Sequence, residues 1–171
     1  MKATTLENKF PLLAVEHGCI ISKDADLTVA FEVELPELYT VTGAEYEAIH
    51  GCWIKAIKVL PDYSIVHKQD WYIRETYKPE LHKEDMSFLS RSFERHFNER
   101  PYLKHTCYLY LTKTTKERSR MQSNFSTLCR GHIIPKEINK DTATKFLEAT
   151  EQFERIMNDS GFVKLHRLTT D

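Results

Sequence analysis

The residue types best suited to chemistry in this sequence are histidines two positions ahead of cysteines, at His17/Cys19, His50/Cys52 and His105/Cys107, together with Cys129/His132. Imidazole and thiolate are ordinary zinc ligands. Residues i and i+2 share a face on a strand, so a strand-borne pair could converge on an ion. On a helix the same spacing turns the side chains about 200° apart, which removes His50/Cys52 as a joint site. None of the pairs has the close CxxC grouping of a structural zinc site. Burial tendencies favour reduced, mostly buried cysteines beside partly buried histidines, so no metal is assigned.

A cysteine nucleophile needs a thiolate held by a positive neighbour at an exposed position. Cys129 comes nearest, with Arg130 and His132 in the same polar stretch, but no third residue to orient the pair is evident. The chain contains neither GxxxxGK[ST] nor GxGxxG. With five glycines, of which Gly43 and Gly51 are the nearest two, no loop can wrap phosphates in that manner. No catalytic residue and no cofactor site is therefore expected in this chain.

Lys113, Lys116, Arg118, Arg120 and Arg130 could meet phosphate oxygens. Tyr108 and Tyr110, on one face of a strand, could stack on single-stranded bases. The strand KHTCYLYL lacks the glycine and paired phenylalanines of the RNP1 pattern, so a solvated basic loop beside a covered sheet face is the simpler account. Glu32, Glu34 and Glu37 read as a wet strand face with no pairing that implies an acid–base couple.

The elements that position these residues form a repeated strand–helix–strand unit. Its first copy is Leu27–Leu35, Thr42–Leu60 and Tyr63–Tyr77; its second is His105–Thr114, Asp141–Ser160 and Phe162–Leu168. Leu27, Val29, Phe31, Val33 and Leu35 alternate with smaller or polar residues, the period-two signature of a half-buried strand. Thr42 and Glu45 have capping-box spacing. Beyond them Tyr46, Ile49, Trp53, Ala56, Ile57 and Leu60 fall on one helical face, with Gly51 expected to permit a close contact with the sheet. Tyr63–Tyr77 divides its two faces poorly, as a strand running past the sheet would. Glu84–Glu99 is predicted helical, with Leu89, Phe93 and Phe97 at i, i+4 and i+8 and Phe88 beside them, and Arg100-Pro101 closes it.

The last helix is expected to be capped by Asp141 or Thr142. Its core face is Phe146, Ala149, Phe153, Ile156 and Met157, with Gly161 in the left-handed position past its end. Leu12–His17 and Cys19–Ser22 suggest a hairpin around Gly18, and a short helix is expected around Lys116–Asn124. Together these predict one α+β domain over residues 1–171. It is of the ferredoxin-like, split βαβ kind, with a mostly antiparallel sheet, an N-terminal β-hairpin and an inserted helix.

A net charge of −1 gives no global field toward nucleic acid or anionic lipid. Hydrophobic residues at 41% and charged residues at 29% suit a globular chain. No apolar run approaches the roughly 20 residues of a membrane helix, and Met1–Phe10 lacks the basic-then-apolar order of a secretory signal. A cytosolic or cytosol-facing location is the expectation.

Three stretches carry a family resemblance: LENKFPLLAVEHGCIISKDADLTVAFEVELPELY near the start, HKQDWYI with MSFLSRSFERHFNERPYLKHTCYLYLTKTT in the middle, and MQSNFSTLCRGHIIPKEI. From Thr5 to Thr169 the chain resembles the N-terminal region of the TraG conjugative-transposon ATPases of Bacteroides-type bacteria. These are similar to the VirB-type ATPases of type IV secretion, and distinct from the plasmid coupling proteins of the same name. The resemblance implies a non-catalytic domain ending inside a longer protein, whose RecA-like motor would bind ATP and magnesium. It implies docking at the cytoplasmic face of the inner membrane, onto conjugation and secretion proteins, the parent motor domain or a second copy. The partner surface would be the inserted helix and the basic loop, with Met86, Arg91, Arg95, Lys113, Lys116, Arg118, Arg120 and Arg130. A module binding the transferred single strand is the alternative.

Overall fold

The computed structural model describes residues 10–16, 18–23, 26–77, 87–114 and 140–169. The helix expected around Lys116–Asn124 lies outside them, as do His17, Cys129 and His132. Strands β1 (Leu12–Glu16) and β2 (Cys19–Ser22) form the expected antiparallel hairpin, and β3 spans Leu27–Glu34. Helix α1 (Gly43–Val59), β4 (Ser64–Thr76), α2 (Phe88–Asn98), β5 (Pro101–Lys113), α3 (Lys140–Asp159) and β6 (Lys164–Arg167) follow. The sheet runs β1-β2-β3-β5-β4, and β6 also pairs with β3. The fold is α+β, with three helices and a mostly antiparallel six-stranded sheet among the described residues.

β3 holds its place because one strand carries two neighbours in line along one edge. Ile20 pairs with Thr28 near its start, while Phe31–Glu34 pair antiparallel with Arg167–Lys164 of β6. Its alternation holds in part: Val29, Phe31 and Val33 are buried and Glu32 and Glu34 exposed, but Ala30 on the opposite face is buried too, and Leu35, past the strand's end, is exposed. Gly18 turns the hairpin with φ of +67°, a backbone region that side chains disfavour.

The chain divides into two compact units, Met1–Lys68 with Tyr108–Asp171, and Gln69–Cys107. In the first, Phe31, Leu109, Leu111, Phe146, Phe153, Met157 and Val163 make the core. Thr42 begins α1 with a complete capping box: its N–H donates to Glu45 Oε2 at 2.7 Å, and Glu45 N–H donates to Thr42 Oγ1 at 3.3 Å. Two free amides of the helix start are thereby satisfied.

The apolar face of α1 is turned from the expected line. Ala56 is buried and Ile49 and Trp53 are half-buried, but Tyr46 and Ile57 are exposed. Cys52 takes their place, its Sγ lying 3.4 Å from Ile156 O and 3.8 Å from Met157 Sδ. Trp53 meets Phe153 edge-on at 6.2 Å. The reason is that α1 packs against α3, which centres its contact on the 49/52/53/56 row. Gly51 makes no close contact: a Cβ there would have no atom within 4 Å outside its own helix turn and chain neighbours.

Helix α3 begins at Lys140, so Asp141 sits inside the first turn rather than at the cap, where its charge suits the helix pole. Phe146, Phe153 and Met157 are buried as expected, and so is Thr150, whose hydroxyl donates to Phe146 O at 2.6 Å. That bond satisfies the only polar atom of its side chain. Gly161 has φ of +73°, the expected left-handed residue past the helix end.

Candidate docking surface

In the unit Gln69–Cys107 only Cys107 is buried among the described residues. The unit contains the later part of β4, helix α2 and the first part of β5. Ser87 caps α2, its hydroxyl accepting from Ser90 N–H at 3.1 Å. The Leu89, Phe93 and Phe97 stripe predicted from spacing is present, yet no residue of α2 is buried. Leu89 is 79% exposed, Phe93 64% and Phe88 84%. A strongly amphipathic helix whose apolar face meets water is the arrangement expected of a surface awaiting a partner.

One side of the helix is anchored to the chain. Tyr77, just past β4, packs edge-on against Phe97 at 6.4 Å, and its hydroxyl donates to Glu94 Oε1 at 3.1 Å. Phe93 and Phe97 lie 4.5 Å apart between ring centres. The strand part of the unit is tied by polar pairs. Tyr102 OH donates to Glu75 Oε2 at 3.0 Å, which pushes the Tyr102 phenol above its usual pKa because the carboxylate holds its proton. His105 Nε2 lies 2.8 Å from Asp70 Oδ1, and its ring stacks on Tyr72 at 4.7 Å.

Of the residues expected to form a partner surface, Arg91 and Arg95 share α2 and are exposed. Arg95 pairs with Glu99 one turn on, at 3.1 Å, an exposed contact of small energetic weight. Met86, Lys116, Arg118, Arg120 and Arg130 lie outside the described residues. Lys113 belongs to the other unit and serves its own turn. Its Nζ donates to the carbonyls of Asp62 and Thr114, at 2.8 and 2.9 Å, and stands 5.5 Å from the Tyr63 ring centre. Burial lowers its pKa, opposed by the Asp62 carboxylate. This ammonium steadies Tyr63, which holds a left-handed φ of +62°.

The exposed aromatics Trp71, Tyr72 and Tyr102, with Ile73 and Leu103, were not among the expected surface residues. Their signal was the poor division of Tyr63–Tyr77 into two faces.

The two histidine–cysteine pairs that lie wholly within the described residues come apart. His50 is exposed while Cys52 turns inward, and His105 takes Asp70 while Cys107 is buried. Among the described residues no group of three or more His, Cys, Asp or Glu could hold a metal ion. Glu34 meets His166 and Lys164 across β3 and β6, at 3.0 and 4.0 Å, on an exposed face. A depression of about 400 Å³ on α3 is lined by Glu148, Gln152, Arg155 and their neighbours, all from that one helix. It brings no convergent groups from a second element. Among the described residues no helix is long and apolar enough to cross a membrane.

A family model described as a domain of unknown function (DUF3875), with the description of a B. theta gene, matches residues 1–51. That description points to a Bacteroides origin. The match covers β1 to β3 and the first half of α1. None of the curated proteins matches the chain.

Proposed function

We propose that this chain is a non-catalytic docking and assembly domain of a conjugative-transfer ATPase of the TraG kind. It engages its partners at the cytoplasmic face of the inner membrane. The observation that carries the reading is the exposed apolar face of α2, with Leu89 and Phe93 at its centre. Interfaces are rich in aromatic residues and arginine, the composition of Gln69–Cys107. Seven Lys and Arg balance seven Asp and Glu over these residues, which favours a protein partner over a phosphate backbone. The succession β6, β3, β5, β4 supports the ferredoxin-like reading of the sheet. In this account ATP and magnesium belong to a motor domain of the parent protein, and this chain supplies placement.

The test uses the chain as bait in extract from cells expressing the conjugation machinery, treated with nuclease and washed at moderate salt. Recovery of identified inner-membrane conjugation proteins or of the parent ATPase is expected, and Leu89→Ser with Phe93→Ser should abolish it. Recovery that needs nucleic acid to be left intact would overturn docking in favour of single-strand binding.

A further inference from the structure

β6 is four residues long and, among the described strands, pairs with β3 alone. Its register fixes which backbone groups turn outward. Leu168 stands opposite Ala30 in the continuation of the ladder, and its N–H donates to Ala30 O at 2.9 Å. Bonded and non-bonded positions alternate along an antiparallel pair. His166 and Lys164 therefore point their backbone groups at Glu32 and Glu34, whereas Leu165, opposite Val33, turns its N–H and C=O away from β3. Leu165 is only 2% exposed, so bulk water does not serve these two groups, and leaving them unmet would be costly.

A side chain meets both. Asn158 Oδ1 accepts from Leu165 N–H at 2.7 Å, and Asn158 Nδ2 donates to Leu165 O at 3.3 Å. A carboxamide presents an acceptor and a donor side by side, as the peptide groups of a neighbouring strand would. The turn after α3 is what brings Asn158 there. Gly161 reverses the chain with φ of +73°, its N–H donating to Asn158 O at 3.2 Å, and Ser160 Oγ donates to Met157 O at 2.6 Å. Residue 165 is thereby carried back beside residue 158.

We infer that Asn158 guards the sheet edge at β6: its side chain takes the place of a further strand and denies that edge to an incoming chain. Unmet backbone groups along an edge are a template for pairing with other chains, and here the outward pair at Leu165 is already used. The guard is separate from the α2 face, so either assignment can fail without the other.

Amide exchange of the 171-residue chain, followed residue by residue by NMR, is the test. Asn158→Ala should speed exchange at Leu165 about tenfold or more, while His166, which bonds inward to β3, and Phe153 in the core stay within about twofold of the parent. Asn158→Asp keeps an acceptor for the Leu165 N–H and should retain most of its protection. In sedimentation at matched concentrations the alanine variant, its edge bared, should associate more strongly than the parent. Unchanged exchange at Leu165 in the alanine variant overturns the proposal. Loss of protection at Leu165 and His166 together does so as well, because Asn158 would then be a strap that holds β6 to β3. An alanine variant that loses Leu165 protection yet sediments as the parent does removes the guarding role.

Discussion

Phe31, Phe146 and Phe153 have no exposed surface in their unit, whereas Phe88 and Phe93 remain largely exposed, and Phe97 partly so, in Gln69–Cys107. Both sets lie on elements with clear apolar periodicity. The difference is what stands opposite. β3, β5, α1 and α3 close on each other, with Trp53 against Phe153 and Cys52 against Met157. In the smaller unit, aromatic pairs such as Tyr77–Phe97 and polar pairs such as Tyr102–Glu75 hold the shape, and the apolar surface is left over. A unit of about 40 residues cannot bury much of itself. Amphipathicity thus identifies a face that needs covering, and only packing says whether the same chain covers it.

The largest effect that should separate the two units is in the core. Phe153→Ala is expected to cost about 3–5 kcal/mol, read as a shift in the urea midpoint, because it opens a cavity between α1 and α3. A loss under about 1 kcal/mol would mean that this core is looser than its burial implies. Removing the cap of α1 by Thr42→Ala should cost about 1 kcal/mol in the same assay. Gly51→Ala goes the other way, gaining up to about 1 kcal/mol, since a methyl group there meets open space and the helix backbone is stiffened.

A smaller effect is electrostatic. The Glu45 carboxylate is held below its ordinary value of 4.5 by the Thr42 backbone N–H and then by the Thr42 hydroxyl. Its folded pKa is thus lower than its unfolded one. Its contribution is present above about 4.5 and fades as pH falls through the folded value. Glu45→Gln should reduce the difference between unfolding midpoints at pH 7 and pH 3, and an unchanged difference would remove the capping carboxylate from the account. The smallest effect is the most telling for the contrast between the units. Phe93→Ser should leave the urea midpoint within about 1 kcal/mol of the parent, because the ring is largely exposed and meets chiefly Phe97, while partner capture is lost. A core-sized loss would show that α2 is internal cover.

Much of the fold was legible where the signal is local. The β1–β2 hairpin turns on Gly18, Val29, Phe31 and Val33 of β3 are buried as their alternation announces, and Thr42 and Glu45 form the cap their spacing announces. The start of β5 was not legible. Pro101 read as the end of a helix, and the strand was expected from His105, yet β5 begins at Pro101 itself. Proline is tolerated at a strand's first residue, and Tyr102 is held by Glu75 across from it. The rotation of α1 was equally hidden, because Cys52 and Ile57 are similar in apolar character and only the position of α3 chooses between them.

For the candidate surface, sequence spacing determined that Leu89, Phe93 and Phe97 share one helical face and that Arg91 and Arg95 lie off it. It also showed that apolar and polar residues are mixed on both faces of β4. Tertiary structure alone decided that no residue of α2 is buried, that β4 ends the order of the described strands, and that Lys113 donates to the turn carbonyls of Asp62 and Thr114. The reason is physical. Periodicity follows from backbone geometry within one element, whereas exposure depends on which distant elements arrive to displace water.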